Sequence, residues 1–119
     1  MINIDLYKKR VQDNVVDIML DYMNEDADCG YSKKDVQKCE RLILDYIVKL
    51  GKLKKPTDEL IMAQVKKLVL ALNKLNEKTD YCLIETDARD EIWQIIQDCA
   101  VECGLSDPSE DITEEWREW

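Results

Sequence analysis

Histidine and phenylalanine do not occur in this chain, glycine occurs three times and proline twice. Without histidine there is no side chain whose ordinary pKa lies near neutrality, which excludes Ser-His and Cys-His dyads and removes the commonest general base. So few glycines and prolines disfavour a turn-rich β-sandwich and leave room for long, uninterrupted helices. Without phenylalanine the core must be built from Leu, Ile, Val and Met. The chain also lacks a glycine-rich phosphate loop, a CxxC pair of the kind that marks a zinc knuckle, and an apolar run long enough to span a bilayer. The opening segment MINIDLYKKR carries no apolar stretch behind its charges, so no signal peptide is expected. Five cysteines without such a leader fit a reducing cytoplasm, and an odd count does not close a disulfide framework.

What is present fits one domain. A chain of 119 residues, 45% hydrophobic and 36% charged, is expected to fold as a single helical domain over residues 1–119. Its formal charge of −9 is unevenly placed. Residues 80–119 hold 13 acidic side chains against Arg89 and Arg117 alone, a net of −11, whereas residues 1–79 are close to neutral at +2. An acidic surface repels phosphate backbones and anionic membranes, so nucleic-acid and membrane partners are disfavoured and a basic protein is favoured.

Apolar spacing predicts four main helices. Leu6, Val11, Val15, Ile18, Met19 and Tyr22 make one stripe between Asp5 and Met23. Ser32 and Asp35 form a capping-box pattern ahead of Val36, Cys39, Leu42, Ile43, Tyr46, Ile47 and Leu50, with Gly51 placed to end that helix in a left-handed conformation. Thr57 caps a third, which carries Leu60, Ile61, Val65, Leu68, Val69, Leu72 and Leu75 toward Lys78. The fourth runs from about Glu85 to Cys103 on Ala88, Ile92, Ile95, Ile96 and Cys99, and Gly104 with Leu105 stops it. Asp107 as cap, Pro108 and Glu110 then predict a short fifth helix bearing Ile112 and Trp116. The fold class is all-α, one compact bundle of four main helices plus a short C-terminal helix.

Chemistry is thin. In IETDARDEIW (residues 84–93), Glu85 and Arg89 stand four apart, in the order that makes an ordinary helix ion pair, and Asp87 belongs to a first turn that favours negative charge. A helix start therefore accounts for the cluster without catalysis, and Asp90 and Glu91 fall off the apolar stripe. The loop from Asn24 to Asp35 imitates a calcium loop, with Asp26, Asp28 and Ser32 between. Its glycine falls one position late, and an Asp stands where a bidentate Glu is wanted, so a solvated acidic loop is the better reading. Cys82, Cys99 and Cys103 read as inert thiols, and Lys49, Lys52, Lys54 and Lys55 as a basic helix end. Trp116 and Trp119 are read as a clamp packing back on the bundle, the alternative being aromatic anchors for a partner inside an acidic rim.

IETDARD at 84–90, the glycine Gly104 and the ending REW at 117–119 resemble a small bacterial family of unknown function. That family carries an IET-x-ARD-like segment, an aromatic turn, an acidic stretch and a terminal R-x-W. The spacing of Leu20, Met23 and Asp26, followed by Val36 and Lys38, is also similar, whereas CGL at 103–105 departs from the aromatic turn. The resemblance implies a compact helical fold, bacterial origin and pairing of Arg89 or Arg117 with acidic neighbours, and it implies no activity and no cofactor. The expectation is a non-enzymatic cytoplasmic protein-interaction module, in its natural form an inhibitor or immunity protein covering a basic toxin or nuclease. Glu85, Arg89, Asp90, Trp93, Glu110, Asp111, Glu114, Glu115, Trp116, Arg117 and Trp119 would then form the partner surface. The alternative is a structural helical protein whose acidity serves solubility, and a calcium-responsive regulator or enzyme comes third.

Overall fold

Asn3 starts the first helix by accepting the Leu6 amide on its side-chain oxygen at 3.1 Å. In this computed structural model, which describes residues 2–26, 28–106, 108 and 111–119, a continuous helical rod follows. It comprises α1 (Ile4–Val11), a wider π-helical turn (Gln12–Val16) and α2 (Asp17–Glu25). The sequence accounts for the wide turn. Tyr7, Val11, Val15 and Met19 are all buried and recur every fourth residue. In a pure α-helix each such step overshoots a full turn by about 40°. The π turn, with the Asp17 amide bonded back to the Gln12 carbonyl, lags and returns the stripe to the core. Its register begins at Tyr7, so Leu6 and Tyr22, expected inside, are instead 59% and 40% exposed.

Helix α3 (Lys33–Gly51) begins at the anticipated capping box, with the Asp35 amide donating to Ser32 Oγ and the Ser32 amide to the Asp35 carboxylate. Its end differs from expectation. Gly51 remains helical and the chain leaves through Lys52, at φ −92°. A Cβ on Gly51 would sit 3.1 Å from Ile4 Cδ1, so the glycine instead admits the start of the rod. Helix α4 (Asp58–Lys78) is capped by Thr57, whose hydroxyl accepts the Leu60 amide at 3.2 Å. It ends without glycine. The Tyr81 amide bonds to Asn76 O and the Asp80 amide to Glu77 O, a Schellman pattern, with Asp80 and Tyr81 both left-handed at φ 57° and 62°. Helix α5 (Thr86–Cys103) ends at Gly104, φ +114°, where the Leu105 amide reaches Ala100 O and Leu105 folds into the core.

The predicted C-terminal helix does not form in the described residues. Its expected start at Asp107 and Glu110 lies outside them, and from Asp111 the chain makes successive turns. The Asp111 carboxylate accepts both the amide and the hydroxyl of buried Thr113, a local arrangement that competes with helix formation. The described residues contain no strand, and buried side chains from Ile2 to Ile112 form one core. Among the described residues no helix is long and apolar enough to cross a membrane.

Candidate functional site

Helix α4 fixes both flanks of α5 through two buried asparagines that the sequence pattern did not flag. Asn76 Oδ1 accepts the Ile84 amide at 2.9 Å, which sets the residue just before Glu85. One turn earlier, Asn73 Nδ2 donates to Trp116 O at 2.7 Å and Asn73 Oδ1 accepts the Glu118 amide at 3.0 Å. A buried primary amide is thereby satisfied on both sides by the C-terminal strap.

The strap turns inward. Trp116 and Trp119 are half-buried against the core, with Lys66 Nζ 5.9 Å from the Trp116 ring centre and the Arg117 guanidinium 5.2 Å from that of Trp119. Arg117 pairs with Asp111 at 2.7 Å and donates to Trp119 O, and both side chains of the pair are over four-fifths covered. Asp111, Trp116, Arg117 and Trp119 are therefore engaged within the fold, and Asp111 also lines a surface groove with Asp58, Glu114 and Glu115. Glu114 and Glu115 are exposed, Trp93 is half-buried in α5, and Glu110 lies outside the described residues.

IETDARDEIW begins α5, and its charges separate. Arg89 lies 3.7 Å from Asp90 and has no ion pair with Glu85 among the described residues, although the Arg89 amide bonds to Glu85 O. Asp90 projects to solvent. Glu85 and Asp87 instead border a cleft of about 160 Å³ whose walls include Ile18, Met19, Tyr22 and Tyr31. Tyr31 is fixed by donating its hydroxyl to Met19 O at 2.8 Å, and burial holds that phenol well above its ordinary pKa. Tyr22 stacks on it, with centroids 6.4 Å apart and planes 15° from parallel. The Tyr22 hydroxyl is also raised, first by the Glu85 charge and then by that of Asp26. Neither Glu85 nor Asp87 has a hydrogen-bond or ion-pair partner on its carboxylate among the described residues.

The rod runs antiparallel beside α5, as Arg10–Asp98 at 2.7 Å at one end and Tyr22 beside Glu85 at the other require. Its exposed side carries Asp13, Asp17, Asp21 and Glu25 at every fourth position. This acidic row escaped the sequence reading because the near-neutral total of residues 1–79 concealed it. The signal was the spacing itself.

The calcium-like loop is organised differently from a cation cage. The Asp35 carboxylate is occupied by the Ser32 cap, and Asp26 accepts the Asp28 amide at 2.9 Å. Gly30, φ +92°, lies so close to Cys82 Sγ that a Cβ there would approach it to 2.8 Å. Among the described residues no three Cys, Asp or Glu side chains converge on a point that would hold a metal ion. Of the basic cluster, Lys49 faces Lys67 of α4 across a groove of about 240 Å³, and that neighbour pushes its pKa down. No protein-family model matches the chain, and neither curated proteins nor solved structures give a significant match.

Proposed function

We propose that this is a non-enzymatic, cytoplasmic interaction module that binds a basic protein through an acidic face made by the rod and α5. Inhibition of a toxin or nuclease is its most natural form. The observation that carries the reading is the set of exposed carboxylates on two neighbouring helices. Asp13, Asp17, Asp21 and Glu25 recur on the rod, while Glu85, Asp87 and Asp90 stand at the start of α5. Among the described residues, the arginines paired on these helices are Arg10 with Asp98 and Arg89 with Asp90. Lys8, Lys9 and Arg10 lie at the beginning of the rod, so the negative field is strongest from Asp13 to Glu25 and at the start of α5. There it raises encounter rates with a cationic surface and discriminates against anionic ones. Tyr22, 40% exposed beside Glu85, supplies an aromatic contact on this face. Kinship with the IET-x-ARD family belongs to the same proposal and adds no activity to it.

The test compares capture of a basic protein by the native chain and by the triple variant Asp13→Asn, Asp17→Asn, Asp21→Asn, at low and at high salt. All three positions are exposed, so folding should be unaffected. The reading requires capture by the native chain, its loss in the variant and its weakening by salt. Equal capture by both proteins would contradict it.

A further inference from the structure

The cleft at the start of α5 combines three properties that seldom coincide on a solvated surface. Its floor is apolar, from Ile18 and Met19. One wall is an aromatic stack, with Tyr31 pinned to the Met19 carbonyl and Tyr22 lying over it, 40% exposed. Its rim holds two carboxylates, Glu85 and Asp87, without a charged partner among the described residues, and no basic residue lines it. The position is also set firmly. Asn76 holds the Ile84 amide, and the left-handed pair Asp80 and Tyr81 turns the chain into Cys82 at the cleft wall. Strained backbone of this kind persists only where the surroundings over-determine it.

We propose that this cleft receives an arginine side chain of the basic partner. Its methylene stem would lie along Ile18 and Met19, its guanidinium plane against the Tyr22 ring, and its N–H groups would donate to Glu85 and Asp87. The inference rests on the reading above and gives that interface a specific anchor. A volume of about 160 Å³ is close to the roughly 150 Å³ of a cavity that takes up benzene, which suits the planar outer part of one long side chain. Guanidinium fits better than ammonium for two reasons. It is planar and weakly hydrated, so it stacks on tyrosine, and its fork of donors can serve two carboxylates at once. Lysine offers a compact, strongly hydrated charge that gains less from the aromatic wall.

The experiment is an NMR titration of the full chain with three blocked tripeptides, Gly-Arg-Gly, Gly-Lys-Gly and the neutral isostere Gly-citrulline-Gly. The arginine peptide should saturate shifts centred on the Thr86, Asp87 and Ala88 amides and the Tyr22 ring, with the lysine peptide several-fold weaker and the citrulline peptide silent. Glu85→Gln with Asp87→Asn, both exposed, should weaken arginine binding at least tenfold, whereas Glu59→Gln, exposed in the first turn of α4 and outside the acidic face, should leave it unchanged. Arginine and citrulline peptides acting alike, or shifts spread over the rod and untouched by the double variant, would overturn the proposal. If the cleft rejects arginine while salt-dependent capture of a basic protein persists, only the anchor falls. If arginine fills the cleft and no basic protein is captured, the interaction reading falls and the site stands.

Discussion

Asn73 shows how one buried polar residue fixes a segment with little secondary structure. Its amide is 7% exposed and holds the strap by one donated and one accepted bond. Asn73→Ala leaves both Trp116 O and the Glu118 amide without that partner, so a loss of about 1–3 kcal/mol is expected in urea unfolding. Asp80 makes the opposite case. It occupies the left-handed position that ends α4, where glycine carries no Cβ penalty. Asp80→Gly should raise stability by about 0.5–1 kcal/mol, measured as a higher urea midpoint at unchanged slope. A destabilising result would show that the Asp80 side chain has a role of its own in the turn.

Helices α3, α4 and α5 were legible because local chemistry and apolar period agree in them. Ser32 with Asp35, Thr57, and Gly104 with Leu105 each carry the cap that the chain uses. The rod was legible in kind and shifted in register, since a π turn rescues a four-residue period that α-helical spacing reads as drift. The C-terminal segment was misread because its sequence suits a helix start, while Asp111 is drawn into bonds with Thr113 and Arg117 that no local pattern announces. Long-range ties such as Asn73 to Trp116, and the meeting of Tyr22 with Glu85, are invisible to any short window. Arg117→Ala tests the strap as an element. It leaves Asp111, 13% exposed, with its two Thr113 bonds alone and removes the cation over Trp119, so a loss of about 1–3 kcal/mol is expected, together with a change in tryptophan fluorescence.

For the whole molecule, the buried thiols begin an alkaline loss of stability that the buried phenols of Tyr7, Tyr31 and Tyr46, also raised by burial, join above about pH 10. Burial pushes Cys39 and Cys99 up to about 12, from an ordinary value of 9.0. Between those values the unfolded chain has lost protons that the folded chain retains, so stability falls as pH rises. It should be insensitive to these groups below about pH 8 and decline from pH 9 toward 12, by up to about 1.4 kcal/mol per pH unit for each thiol. Urea midpoints across that range, compared with Cys39→Ala, measure the share of one site. The acidic field acts at the same scale, on encounter and not on folding. The decisive measurement is the association rate between this protein and its captured basic partner as salt rises from about 0.01 to 0.1 M, over which the Debye length shrinks from about 30 to 10 Å. A steered encounter should slow by about tenfold or more, with dissociation little changed. An association rate indifferent to salt would contradict the acidic-face reading and leave the charge as a device for solubility.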